Sequence, residues 1–342
     1  MLVHSVATLA IVTSYTLSLQ VARSVVSPTS LNFDRPVFIV AYTTSFNLLM
    51  CVPLFVRSQC SRERSSGYES LASSNTGDAS FPSVEITFVL SVLWFLANWS
   101  YTLALKGLSA GIVSAVFSSN VAFAFIGEIA FGLRECLIKQ AVAVCLAVAG
   151  VLVIMLASPS SSPTSVAPAS NGTHQEDTSA ASIGAALRAT LAAAAAAAYK
   201  LAFKKLMPSS SAESVAALLV SIGSFHGLIF VLVAMTEERP IPWIALSVHA
   251  TASLFYNFSI NWGLGVLSPT FVSIALAAAI PLNEIIDFTR HETDYTLATL
   301  IGTILLVLAF LLMTSGLSGK ETRDQGCHRE EEEEEQEGKQ IL

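Results

Sequence analysis

Several side chains that could do chemistry stand inside long apolar runs of this sequence. Glu128, Glu284, Asp287, Lys106, Lys200, His226 and His249 are ionisable. At a bilayer centre such a group costs on the order of 3 kcal/mol on insertion scales, so it usually faces an interior cavity. Most of these residues sit within two turns of an expected helix end, where a long side chain can reach the interface instead. That reading is preferred for Lys106, Lys200 and His249. Glu284 follows Asn283 just past Pro281, and Asn283 and Asp287, four apart, share a helix face. Ser14, Tyr15, Thr44, Asn47, Asn98, Tyr101, Ser118, Asn120, Asn257 and Asn261 lie more centrally. Interhelical hydrogen bonds of about 0.6–2 kcal/mol would account for any one of them. Their number in both halves points to a polar central cavity. Trp94, Trp99, Tyr101 and Trp262 could offer faces to a cation or a flat ring, or anchor at the interface as a belt.

The candidate binding set is therefore Asn98, Trp99, Tyr101, Ser118, Asn120, Glu128, Asn257, Asn261, Asn283, Glu284 and Asp287. Part of it recurs at a fixed spacing of 159 residues, with no gap: Asn98/Asn257, Ser100/Ser259, Leu105/Leu264, Leu108/Leu267, Ser109/Ser268, Val113/Val272, Ser114/Ser273 and then Glu128/Asp287. The pattern reads as an internal duplication. Glu128 and Asp287 would then stand near opposite mouths of the cavity.

The elements that must position these residues are membrane spans. Of 342 residues, 53% are hydrophobic and 13% charged, with a mean hydropathy of +0.63. A soluble domain carries roughly 25% charged residues. Apolar segments of about 20 residues cross a bilayer. Ten are expected, at 3–22, 36–56, 84–105, 109–130, 137–157, 182–203, 213–235, 242–263, 268–288 and 295–316. The fold class is an all-α polytopic membrane protein. Residues 1–157 form a first five-helix repeat with an inner loop at 57–83, and 158–181 a low-complexity linker. Residues 182–316 form the second five-helix repeat, and 317–342 a disordered acidic cytoplasmic tail ending in the Glu330–Glu335 run. Five is odd, so the second repeat enters from the opposite side and the two are inverted. A span starting at residue 3 leaves no N-terminal cytosolic domain, as in a short isoform or an incomplete gene model. The five cysteines have no metal-ligand spacing and read as free, mostly buried thiols.

With both termini cytoplasmic, twelve Lys and Arg residues fall inside and six outside, as the positive-inside rule asks. This orientation exposes the Asn171-Gly172-Thr173 acceptor on the lumenal or extracellular side, which predicts a glycoprotein modified at Asn171. Ser268 and Pro269 mark a helix start, and Pro281 should kink that helix and free the carbonyl near Ala277. Ala143, Ala147 and Gly150, and the run Ala192–Ala198, predict close helix contacts.

No zincin, P-loop, serine-hydrolase or intramembrane-protease motif is present, nor an arginine ladder. A carrier remains, with no enzyme activity, cofactor, metal or nucleic acid expected. Three segments then carry a resemblance: ANWSYTLALKGLSAGIVSAVFSSNVAFAF at 97–125, YKLAFKK at 199–205 and NFSINWGLGVLSPTFVSIALAAAIPLNEIID at 257–287. They resemble the drug/metabolite transporter superfamily and, within it, subfamily F of solute carrier family 35, nearest the branch of thiamine transporters. The resemblance implies ten helices in inverted repeats and a central cavity between spans one to four and six to nine. Spans five and ten would be scaffold and homodimer contacts. By analogy it implies an organic cation such as thiamine as substrate. A nucleotide-sugar carrier, whose diphosphate substrate would need lysine or arginine in the cavity, is the alternative. A non-transporting membrane scaffold is another. Plasma membrane and Golgi or other endomembrane locations both stay open.

Overall fold

The computed structural model describes residues 2–26, 35–66, 81–104, 113, 116–133, 138–157, 175–208, 210–238, 240–289, 296–298 and 300–314. Every regular element among them is helical. The order is α1 (Leu2–Val26), α2 (Pro36–Ser45), a 3₁₀ segment (Phe46–Met50), α3 (Cys51–Ser66), α4 (Val84–Ala104) and α5 (Asn120–Ala130). Then come α6 (Ile138–Ala157), α7 (Gln175–Leu206), α8 (Ala212–Ala234), α9 (Trp243–Val266), α10 (Pro269–Thr289) and α11 (Leu300–Thr314).

Ten spans are expected from the sequence. By length and composition, five stretches of the described residues are long and apolar enough to cross a membrane: Val3–Ala22, Pro36–Arg57, Val84–Ala104, Ile183–Leu206 and Ala212–Ala234. Val116–Ala130, Ile138–Ile154, Pro269–Asn283 and Leu300–Thr314 are shorter apolar helices. The outer surface is correspondingly apolar, with Leu9, Phe55, Ile126, Leu228, Ile244 and Phe255 all exposed. The chain is an integral, multi-pass membrane protein.

Small residues set how closely these helices approach. A Cβ on Gly150 would meet the Gly302 carbonyl at 2.8 Å, and one on Gly302 the Gly150 carbonyl at 2.7 Å, so α6 and α11 cross backbone to backbone. Ala143 and Ala147, on the same seam, are buried. Along α7, Ala192, Ala193, Ala195 and Ala197 are buried, and α4 packs beside them. Pro53 cannot donate to the Leu49 carbonyl, and just before it the helix tightens into the 3₁₀ segment. Against that segment α8 presents Gly223, where a Cβ would lie 2.8 Å from the Leu48 nitrogen.

Several boundaries differ from expectation. Helix α7 begins at Gln175, within the expected linker, and α3 continues to Ser66, within the expected inner loop. Helix α10 runs through Pro281 to Thr289. Cys51 and Cys145 are free but exposed rather than buried, standing on apolar outer faces where a thiol costs little. Asn171, Lys106 and the 317–342 tail lie outside the described residues.

Candidate functional site

The helices line a cavity of ≈ 140 Å³. Helix α1 contributes Tyr15 and Ser18, α2 contributes Thr43 and Thr44, and α4 contributes Trp94, Asn98, Tyr101 and Thr102. Phe117, just before α5, adds a ring. Helix α7 contributes Tyr199 and Lys200, α9 contributes His249, Ser253, Tyr256 and Asn257, and α10 contributes Leu276. These positions fall in the C-terminal halves of α1 and α4 and the N-terminal two thirds of α9. The cavity therefore sits toward one end of the bundle.

The wall is held by aromatic and amide contacts. Tyr15 and Tyr256 pack with centroids 5.4 Å apart, Trp94 meets Tyr199 edge-on at 5.0 Å, and Tyr101 meets Phe117 at 5.1 Å. The Tyr199 hydroxyl donates to Asn261 Oδ1, and Asn261 Nδ2 donates to the Asn257 carbonyl at 2.7 Å. Asn257 Nδ2 in turn donates to Asn47 Oδ1 at 3.0 Å, tying α9 to the 3₁₀ segment. Asn47 is fully buried, and its own Nδ2 finds no acceptor among the described residues. Asn98 Nδ2 donates to the Trp94 carbonyl one turn back.

The structure brings Asn98, Tyr101 and Asn257 together on this cavity, the two asparagines being 159 residues apart in the chain. Asn261 stands behind the wall and orients Tyr199. Asn120 is also behind it, accepting from Lys200. Trp99 stacks on Phe95 at 6.2 Å instead of lining the cavity, and Ser118 is buried without lining it. Asn283 is buried against α1, where Gln20 Nε2 donates to its Oδ1 at 3.0 Å. Glu284 and Asp287 lie in α10, and their side chains fall outside the described residues.

Glu128 is not in the cavity. Its carboxylate accepts from the Thr270 backbone N–H at 2.9 Å and from Thr270 Oγ1 at 2.8 Å, closing the N-terminus of α10. An anion there meets unsatisfied N–H groups and the positive end of the helix dipole. Gly132, at φ 63°, ends α5 one turn beyond Glu128. Beside it, Lys204 Nζ donates to the carbonyls of Leu264 and Gly265 at 3.1 and 3.3 Å, at the C-terminus of α9. Ser268 Oγ caps α10 by accepting from Phe271 N at 3.2 Å, as its sequence predicts. This cluster of helix ends lies away from the cavity, at the far end of α9.

Lys200 overturns the expectation of an interface-reaching side chain. It is 2% exposed, and its Nζ donates to Asn120 Oδ1 and to Ser273 Oγ, both at 2.7 Å. The signal was present in the sequence. Lys204 and Lys205 already serve the end of α7, and a third lysine one turn deeper in an alanine-rich helix has no interface to reach. Among the described residues, no carboxylate lines the cavity and no group of three or more His, Cys, Asp or Glu side chains could hold a metal.

No protein-family model matches the chain. Solute carrier family 35 member F3 from Homo sapiens is 27% identical over 232 residues, 65% of this chain and 51% of that protein. Solute carrier family 35 member F4 from Homo sapiens is 26% identical over 238 residues, 66% of this chain and 42% of that protein. The chain thus spans about half the length of the curated relatives it matches. A solved crystal structure of another protein superposes with a TM-score of 0.63 at 13% identity. The superposition covers 91% of this chain and 96% of the other, and it speaks to the fold alone. The matches place the chain among the relatives of subfamily F of solute carrier family 35.

Proposed function

We propose that the protein is a carrier, built from ten spans in two inverted five-helix repeats, that moves a small organic metabolite by alternating access. The observation that carries this reading is the cavity on which Asn98 and Asn257 meet, one from each half of the chain. A cavity walled mainly by aromatic and aliphatic side chains, with a few amides and hydroxyls among them, suits a ring-bearing solute with a few polar groups. The Glu128–Thr270 and Lys204–α9 contacts would be the closed gate beneath it. By the basic-residue bias, that end is cytoplasmic.

Thiamine or a similar cation is the substrate the family resemblance suggests, and the rings of Trp94, Tyr101, Tyr199 and Tyr256 could take its flat charge. A nucleotide-sugar carrier is the second reading. Lys200 in the cavity wall favours it, because a diphosphate needs a cationic partner. Uptake into proteoliposomes, with labelled thiamine and labelled nucleotide sugars in parallel, tests both. Accumulation of either above protein-free vesicles supports a carrier. A protein that gives none, and that is not stabilised by any of them, counts against it.

A further inference from the structure

We infer that Ser18, Ser253 and His249 form the edge of the cavity that reads the substrate by hydrogen bonds, so that the transported molecule is a flat nitrogen heterocycle with a donor and an acceptor on one edge. The inference rests on the carrier reading and names the substrate class of that same site. All three residues line the cavity. Ser253 Oγ lies 3.3 Å from Ser18 Oγ on α1 and 3.5 Å from His249 Nδ1, one turn back on α9. His249, Ser253 and Tyr256 share one face of α9, and Tyr15 and Ser18 share one face of α1. The packed rings of Tyr15 and Tyr256, which also line the cavity, therefore stand one turn from the paired hydroxyls.

Hydroxyls inside these helices bond to a carbonyl of the preceding turn, as Thr8, Thr13, Ser14 and Thr251 do. Among the described residues Ser18 and Ser253 make no such bond and turn to each other instead. Both contacts in the row are long beside the about 2.7–3.0 Å of an ordinary hydrogen bond, so neither is used in full. The other ring nitrogen of His249, Nε2, has no partner among the described residues and keeps accessible surface, whereas His226 Nε2 is sealed. A tie between α1 and α9 would need the two serines alone, drawn closer. The tautomer of His249 sets the polarity of the row. With Nδ1–H donating to Ser253, Ser253 donates to Ser18 and the Ser18 proton is left for a ligand. With Nδ1 accepting, Ser18 keeps its lone pairs and Nε2–H becomes the free donor. A heterocycle that carries both a donor and an acceptor is answered in either polarity. A hydrocarbon ring leaves the row unpaired, which is costly in a water-poor site.

Matched pairs of probes that differ in this edge test the inference. One pair is thiamine and its N-benzyl thiazolium counterpart, in which a phenyl ring replaces the aminopyrimidine. The other, uncharged, is adenosine and purine riboside, which lacks the amino donor. The full-length protein is purified in detergent and its melting temperature followed against probe concentration. The same probes are then offered as labelled solutes to proteoliposomes. At least one edge-bearing member should stabilise the protein at a roughly ten-fold or more lower concentration than its counterpart. Ser253→Ala and His249→Phe should each erase that preference while the response to the counterpart stays the same. Where one variant does not fold, the other and Ser18→Ala are read in its place. Equal response to both members of each pair, no response to any probe, or a preference that survives the variants would overturn the inference. Equal uptake of both members of a pair would leave the carrier standing and remove the reading edge. Selective binding with no uptake of any probe would support the edge and count against the carrier.

Discussion

Two polar regions of the same bundle use similar residue types in opposite ways. At one end of the bundle, charged side chains finish helices: Glu128 on the N-terminus of α10, Lys204 on the C-terminus of α9. Each charge meets backbone groups that the helix itself leaves unsatisfied, so the arrangement is complete without a ligand. Around the cavity, Asn98, Tyr101, Lys200 and Asn257 line an open space instead. A membrane interior offers no water to satisfy them outside such a space. A buried acid is therefore not by itself a mark of the binding site. What matters is whether its partners are already in the chain.

The comparison can be broken from the cluster of helix ends, where the largest effect is expected. Glu128→Ala removes the acceptor of two hydrogen bonds, and bonds to a charged group are worth about 1.5–3 kcal/mol each. We expect a clear fall in melting temperature and yield, with the apparent affinity of the surviving protein for its substrate unchanged. A ten-fold loss of affinity with normal stability would move Glu128 back into the site.

A mixed outcome is expected at Asn257, which faces the cavity and also partners a fully buried group. Asn257→Ala leaves Asn47, already short of one partner, without the other. An orphaned buried polar group costs about 1–3 kcal/mol. Both the melting temperature and the transport affinity should fall. Unchanged stability would mean that the Asn47 pairing adds little to holding the 3₁₀ segment.

A smaller and purely functional effect is expected at Asn98, whose side-chain amide donates to a carbonyl of its own helix. Asn98→Ala should weaken apparent affinity by roughly five-fold, the worth of one neutral hydrogen bond of about 1 kcal/mol, without lowering the melting temperature. Transport kinetics and melting on the same preparation check it. A stability loss with intact affinity would place Asn98 with the structural groups.

The smallest effect concerns orientation. Asn171→Gln should remove the glycan of protein made in a glycosylating cell, with a shift in gel mobility and no change in transport. A glycan that persists, on Asn98 or Asn257, would put the cavity helices outside the membrane and undo the comparison altogether.

The sequence by itself determined the class of molecule and the position of most helices, because apolar runs and their punctuation are local properties. The Ser268-Pro269 start of α10 and the slim faces around Ala192–Ala198 and Gly150 were legible in this way. The fixed spacing also pairs Asn98 with Asn257, and both line one cavity. Which charged residue faced that cavity was decided by the tertiary structure alone. Glu128 and Lys200 look alike along the chain, each an ionisable group near a helix end. Glu128 was claimed by a helix terminus that a different part of the chain, 142 residues away, brings to it. Lys200 was left among neutral partners from α5 and α10. Whether a buried charge is satisfied depends on groups that only three-dimensional packing brings within 3 Å of it, and sequence spacing carries no record of that distance.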